Sequence, residues 1–480
     1  MTEPSRRTVP LPLDFIIVGG GLAGLAVAHA LCSTGHRVRV FEKSRGTSRW
    51  AAGIRLPPNG MLVLLKWGVG EKVKAKSVKC TATDFVDMGS GARLGALEWR
   101  EEVMKELGAP FYMIAHSDMH SILCELALSS GAEVHFDTPV ACVNPGDSDD
   151  LDDTTLGSTS SEGRPSITLA NGEVIHADII IGADGADSIV RPLVDEVLKV
   201  GEPSRTSIYH GSIPVATMQA DPNLASIIRD LQSPHWLGTS SLVLSYPVRS
   251  GEEYNATFWV PEPIPRGAPQ GWDTPVSSRD VKYPAIEPRI TALLGHIPTL
   301  TRVSRDERGQ AESFVDESER IVLVGEAAHP LGPCGMPVLS AVLEDAAVLG
   351  VLFSRLRSHD QISPLLYGYE DLRKPRRNTL ADLEDANHYI IMLPPGPERD
   401  FRNDAWNRWK KAAEARGDAE IEEGELEQQF AELCGVWGYD AIDAAEDWWV
   451  QWGMLRERAL GMGGGGVLDG TVRMEVVGSS

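Results

Sequence analysis

Phe15-Ile16-Ile17-Val18-Gly19-Gly20-Gly21-Leu22-Ala23-Gly24 sets the architecture of this chain. Four apolar residues of buried-strand type run into a glycine turn, and the composition from Leu25 to Ser33 is helical. Gly35 is placed to close that helix, and Val38-Arg39-Val40-Phe41 reads as a second strand. In Gly19-x-Gly21-x-x-Gly24 the first glycine permits a sharp turn and the second lets backbone approach a pyrophosphate. The third allows helix and strand to pack closely. The helix then points its free N–H groups and positive dipole end at the phosphates. Glu42, 18 residues after Gly24, stands where a carboxylate accepts hydrogen bonds from a ribose, with Lys43 beside it. A purely structural glycine turn is the bland alternative; the strand–turn–helix–strand–Glu frame favours dinucleotide binding.

Two further stretches extend this pattern. Asp178-Ile179-Ile180-Ile181-Gly182-Ala183-Asp184-Gly185 places a carboxylate and a glycine at the end of a buried strand and runs on to Ser188 and Arg191. Gly325-Glu326-Ala327-Ala328-His329-Pro330 follows another apolar strand, Ile321 to Val324. Pro333 comes next, and Glu344-Asp345-Ala346 begins fifteen residues after His329. A long helix is expected from Pro337 to Leu356, with Pro337 suited to its first position.

In this order the three motifs resemble those of group A FAD-dependent aromatic monooxygenases, in particular the fungal salicylate-hydroxylase-like subgroup. The resemblance covers roughly residues 13–395. Ala51-Ala52-Gly53-Ile54 through Pro57-Pro58-Asn59-Gly60 and Trp437-Gly438-Tyr439-Asp440 look like two further segments of that subgroup. The resemblance implies an α/β fold: a Rossmann-like FAD-binding domain, an inserted β-rich substrate domain and a helical C-terminal region. It implies that FAD is held by Gly19, Gly21, Gly24, Glu42, Lys43, Ala52, Gly53, His116, Asp184, Gly185, Glu326, Pro333 and Met336. NAD(P)H serves as a transient co-substrate without a nucleotide domain of its own. The activity implied is reduction of FAD, reaction with O₂ and transfer of one oxygen to an activated ring.

The chain departs from the family at several positions. Glu326 replaces an Asp, Met336 and Val338 replace glycines near the flavin, and His116 and His210 stand where the family has arginines. Catalysis is expected from His210, Tyr246 and Pro333, and substrate binding from Arg55, His210 and Tyr246. Each has a bland counterpart: a surface histidine, a tyrosine packed in a sheet, an arginine on a solvated strand. Hydroxylation of a phenol or aromatic carboxylate leads the readings, with decarboxylation as a variant. Flavin-dependent epoxidation in secondary metabolism is a second, and a redox-neutral cyclase or binding protein on the same scaffold a third.

Composition narrows the partners. Among 480 residues, 42% are hydrophobic and 24% charged, as in globular proteins generally. A net charge of −23 speaks against nucleic acid or an anionic membrane and leaves a small aromatic or polycyclic molecule and O₂ as the expected partners. Six scattered cysteines form no metal or disulfide pattern, so no metal is expected and a cytoplasmic location fits best. Phe15–Cys32 carries four glycines and a histidine, unlike a signal peptide or membrane span. The expected FAD-binding segments are 1–79, 113–200 and 302–395, with a mobile loop at 144–166. The substrate-domain segments are 80–112 and 201–301, and 396–480 forms the helical region and tail.

Overall fold

The computed structural model describes residues 9–46, 52–146, 163–195, 206–262, 274–282, 286–304, 309–332, 335–416 and 423–455. Ala51, the centre of the 144–166 segment, Pro333, Cys334 and the glycine-rich tail lie outside them.

Among the described residues, a five-stranded parallel sheet forms in the order Ile321–Leu323, Ile179–Gly182, Asp14–Val18, Arg37–Phe41, Glu133–His135. Helices Leu22–Cys32, His116–Ser130 and Val338–Phe353 pack with it, and Ile16, Ile17, Ile180, Ile181 and Val322 are fully buried. Strands covered on both faces read as continuous apolar runs, as Phe15–Val18, Ile179–Ile181 and Ile321–Leu323 do. From Asp14–Val18 the chain builds outward on one side and then returns to build on the other. The order therefore reverses beside the first strand, which opens a crevice at the carboxyl ends of the strands.

The eight-stranded sheet runs Thr274–Ser277, Thr299–Ser304, Ser207–Pro214, Glu253–Val260, Leu242–Val248, Pro234–Leu237, Ala82–Asp87, Arg93–Glu98. Its pairs are antiparallel except Pro234–Leu237 with Ala82–Asp87. Alternation of side chains gives it two faces. Tyr209, Phe258, Val243, Trp236 and Val86 point one way, into a core with Leu224, Ile227, Ile290 and Leu293 of two short helices. His210, Thr257, Leu244, His235 and Phe85 occupy one cross-strand row of the other face. A small antiparallel sheet, Gly53–Leu56, Tyr112–Ala115 and Ser77–Lys79, meets that second face.

The C-terminal region is helical: Ile362–Ile391, Pro397–Arg416, Glu423–Trp437 and Ala441–Trp448. Trp448 packs against Gly368, Trp437 is buried, and Trp406 stacks on Phe85 with ring centroids 4.2 Å apart. Trp452 is exposed. No helix among the described residues is long and apolar enough to cross a membrane.

Helix ends differ from the sequence expectation. The first helix starts at Leu22, because Gly21 already serves as its N-cap. Its C-cap is Ser33, and Gly35, at φ +103°, turns the chain two residues later. The helix expected from Pro337 runs Val338–Phe353; Pro337 is its cap, and its carbonyl accepts the first bond, from Ala341 N–H.

Candidate active site

The glycines of the first motif have three distinct environments. Gly19 has φ +107°, and a Cβ on it would lie 2.4 Å from the Ala183 carbonyl oxygen. A Cβ on Gly24 would lie 2.0 Å from the Gly19 carbonyl oxygen. A Cβ on Gly21 would meet nothing within 4 Å. Two glycines are thus required by contact with protein, and the third borders open space at a helix N-terminus. That helix has neither a side-chain cap nor an acidic residue in its first turn, so its free N–H groups remain for an anion. Glu42 accepts from Gly20 N–H through Oε2 at 2.6 Å and from Ser44 N–H through Oε1 at 2.7 Å. The carboxylate is fixed at the strand end, and each oxygen keeps a lone pair for a ribose hydroxyl. His120 Nε2 donates to the Gly20 carbonyl at 2.9 Å and steadies the same turn. Lys43 is exposed at the rim.

The other two motifs converge on this turn. Gly325, at φ +60°, packs against Ala23, where a Cβ would come within 2.8 Å of the Ala23 side chain. Gly185, at φ +79°, faces Glu326, whose Oε2 would lie 3.8 Å from its Cβ. Asp184 accepts from Ser188 Oγ at 2.5 Å and from Ile189 N–H at 2.7 Å, so its carboxylate braces its own loop. Burial pushes its pKa up against these hydrogen bonds.

A buried ion network holds the third turn in place. Asp345 Oδ2 accepts from Gly325 N–H at 2.8 Å and meets His329 Nε2 at 2.6 Å; its Oδ1 takes Arg373 Nε at 2.7 Å. Glu344 meets Arg373 at 2.7 Å and Arg376 at 3.0 Å, and Asn59 Nδ2 donates to it at 2.6 Å. Arg376 lies 4.4 Å over the Tyr439 ring, which ties the Trp437–Asp440 segment to this network. Burial alone would raise the Asp345 pKa, yet the charges of His329 and Arg373 hold it down at about 2. Glu344-Asp345-Ala346 therefore acts as a brace for the Gly325 turn. Its partners Arg373 and Arg376 follow it by about a helix length on another element and carry no motif of their own.

The second face of the eight-stranded sheet approaches the loop at Ala52–Gly53. A Cβ on Gly53 would lie 2.5 Å from the Tyr246 ring, and Gly53 N–H donates to Asn255 Oδ1 at 2.8 Å. Asn255 Nδ2 reaches Thr257 Oγ1 at 3.5 Å, and His210 Nδ1 meets the same hydroxyl at 3.1 Å. The Ala52 carbonyl accepts from His116 N–H at 2.9 Å. His210, Tyr246, Gly53, Ala52 and His116 are thereby brought together. His210 is no surface histidine: it is buried, and burial pushes its pKa down to about 3. An ordinary histidine pKa near 6.5 therefore does not apply to this ring. His116 is held at about 3 by burial, with His120 and His210 adding to the effect. Tyr246 is buried as well, whereas Arg55 is half-buried on the strand that starts at Gly53. Met336 is anchored through its N–H to Glu384 Oε1 at 3.0 Å.

Sequence reasoning passed over Asn255, Thr257, His120, His235 and Glu384. Alternation along Glu253–Val260 was the one available signal, because Asn255 and Thr257 are polar at alternate positions on the face that carries Trp259. The donor set fits FAD: an uncapped helix start beside a glycine bordering open space, a fixed carboxylate at the adjoining strand end, and two further glycine turns against it.

The FAD binding domain family model matches residues 13–384. The chain belongs to this family. It is similar to the FAD-dependent monooxygenase OpS4 of Beauveria bassiana, at 25% identity over 439 residues, covering 91% of this chain and 97% of that protein. It is 28% identical over 398 residues to 3-hydroxybenzoate 6-hydroxylase of Klebsiella oxytoca, covering 82% of this chain and 91% of that protein. The fold matches a salicylate hydroxylase substrate complex with a TM-score of 0.67 at 19% identity, over 91% of this chain and 97% of that one. The resemblance to FAD-dependent aromatic monooxygenases thus holds for this FAD-binding chain, and so does the mixed α/β fold with its helical C-terminal region.

Proposed function

We propose that this FAD-dependent monooxygenase hydroxylates a phenol or an aromatic carboxylate, with NAD(P)H as transient reductant and O₂ as oxygen donor. One observation carries the reading: the sheet face bearing His210 and Tyr246 is bolted, through Asn255 and the Tyr246 ring, onto the Gly53 loop beside the glycine cradle. FAD, when bound, supplies the redox chemistry and the activation of oxygen. Gly19, Gly21, Gly24 and Glu42 hold its ADP half, Gly185 and Glu326 border the adjoining stretch, and Ala52–Gly53 and Met336 border the ring end.

His210 and Tyr246 orient the substrate. His210 is uncharged at neutral pH, so it acts as a hydrogen-bonding imidazole and not as a cation beside a phenolate. The Tyr246 hydroxyl is the second polar contact, and Arg55 supplies positive charge for a carboxylate. Ile208, Leu242, Leu244 and Trp259 form an apolar wall that excludes water and admits an aromatic ring. Pro333 is assigned beside the flavin by resemblance.

The test is an incubation with NADPH under ¹⁸O₂, using a panel of hydroxybenzoates and hydroxynaphthoates. One labelled oxygen atom in the product is expected. Unlabelled product formed equally well under argon would replace this reading with a redox-neutral one.

A further inference from the structure

The peptide groups that lead into the helix Val338–Phe353 are already engaged. Gly335 N–H donates to the Gly332 carbonyl at 2.8 Å and Met336 N–H to Glu384 Oε1 at 3.0 Å, while Pro337 has no N–H to give. Bonding within the helix begins with Ala341 N–H, so the N–H groups of Val338, Leu339 and Ser340 have no partner inside it. Ser340 is fully buried, and among the described residues its Oγ has no hydrogen-bond partner. The first turn carries neither an acidic residue nor a side-chain cap. This helix start therefore keeps donors for a group other than its own chain, at its positive dipole end.

One carboxylate from another element reaches it. Glu384 lies half-buried in the helix Ile362–Ile391. A Cβ on Gly335 would collide with its Oε2, while its Oε1 takes the Met336 N–H, so the whole carboxylate lies against Gly335–Met336. Leu380 to Asn387 contains no Lys or Arg, and Arg373 and Arg376, further back on the same helix, are engaged with Glu344 and Asp345. Met336 packs in one cluster with Tyr246, whose ring meets Gly53, and a Cβ on Gly60 would lie 2.9 Å from Ser340 Oγ. The helix start thus stands beside the Ala52–Gly53 loop.

We propose that Glu384 is a positioning residue that makes bound FAD harder to reduce: its carboxylate holds the Met336 N–H away from the flavin and sets a negative charge at the helix start that faces the ring. Reduction adds two electrons and one proton to FAD, so the ring gains one negative charge. The free N–H groups of Val338–Ser340 favour that charge and the Glu384 carboxylate opposes it. This deepens the proposed function and rests on it for the flavin ring lying at this helix start.

The midpoint potential of bound FAD, read under argon against a reference dye, tests the charge without turnover. E384Q keeps an acceptor for Met336 N–H and removes only the charge. It should favour reduced over oxidised FAD about tenfold more than the wild type does, which for a two-electron couple is an upward shift of about 30 mV. E384A removes charge and acceptor together and should shift the potential the same way, by at least as much. D385N, an exposed carboxylate on the same helix, should leave it unchanged. FAD content and denaturant midpoint should be the same in E384Q, D385N and the wild type. An E384Q potential equal to that of the wild type overturns the proposal, and so does an equal shift in D385N. A wild type that takes up no FAD overturns it together with the proposed function. Failure of ¹⁸O incorporation with the E384Q shift intact would instead count against the monooxygenase reading alone.

Discussion

At the carboxyl ends of the parallel strands the working groups are backbone. Gly19, Gly24 and Gly325 are required because chain passes against chain, Gly185 because its φ is positive, and Gly21 because it leaves room. Across the eight-stranded sheet the working groups are side chains, His210, Thr257, Asn255, Tyr246 and His235, drawn from four strands. The first region tolerates little variation in residue type, since each glycine answers a steric demand. The second is free to vary, since any side chain that suits a pleated face can stand there. A fold that keeps its nucleotide while changing its substrate would be expected to divide in this way.

The largest expected effect sharpens the comparison through pH. Burial lowers the pKa of His29 and His36 to about 4 and of His116, His210 and His235 to about 3. The unfolded chain therefore binds protons first as the pH falls below the ordinary value of about 6.5. Their contribution to stability is full above that value and is lost as the pH drops through the folded-state pKa values. Each costs up to about 1.4 kcal/mol per pH unit within that window. Denaturant unfolding at a series of pH values should show stability falling steeply below about 6.5; a flat profile down to about 5 would show that these rings are hydrated.

The buried ion network comes next. Arg373→Met leaves Glu344 and Asp345 buried without their main cation, which costs about 3–5 kcal/mol. Denaturant midpoints measure this directly, and the Gly325 turn should loosen FAD binding in parallel. A loss under about 1 kcal/mol would show that Arg376 and His329 suffice.

Glu42→Ala tests the nucleotide side by itself. Loss of one or two charge-assisted hydrogen bonds should weaken FAD binding by about 1.5–3 kcal/mol each, read by fluorescence titration. Folding should change less, although Gly20 and Ser44 lose their acceptor. The smallest effect is expected for Lys72→Ala, whose partner Glu125 is equally exposed; such pairs contribute about 0–1 kcal/mol. A larger change would mean that surface charge matters in this acidic protein more than the network does.

Legibility in the sequence followed the same division. The glycine spacings announced the cradle because the turn and the strand and helix beside it lie within one stretch of chain, although the atoms that crowd Gly19 and Gly325 belong to other motifs. Glu42 was legible for the same reason. The role of Glu344-Asp345-Ala346 was not, since its meaning lies in Arg373 and Arg376, two turns of a different helix. His210 and Tyr246 were found through resemblance, but their protonation and contacts depend on burial, which no single strand specifies. His235 gave no signal, because pairing register across four strands is what aligns it with His210. Helix starts were displaced by one to three residues: at Leu22 the helix begins inside the glycine-rich stretch that reads as turn, and at Val338 the cap, Pro337, looks like helix in composition.

Gly21 offers the most direct test of the account. Its backbone, at φ −73°, accepts any side chain, and a Cβ there would meet only open space. If that space belongs to the FAD pyrophosphate, Gly21→Val should unfold like the wild-type apoprotein but fail to take up FAD in a visible-absorbance titration. The wild type should turn yellow with about one FAD per chain. A variant that binds FAD as the wild type does, or a wild type that remains colourless with excess FAD, would contradict the account.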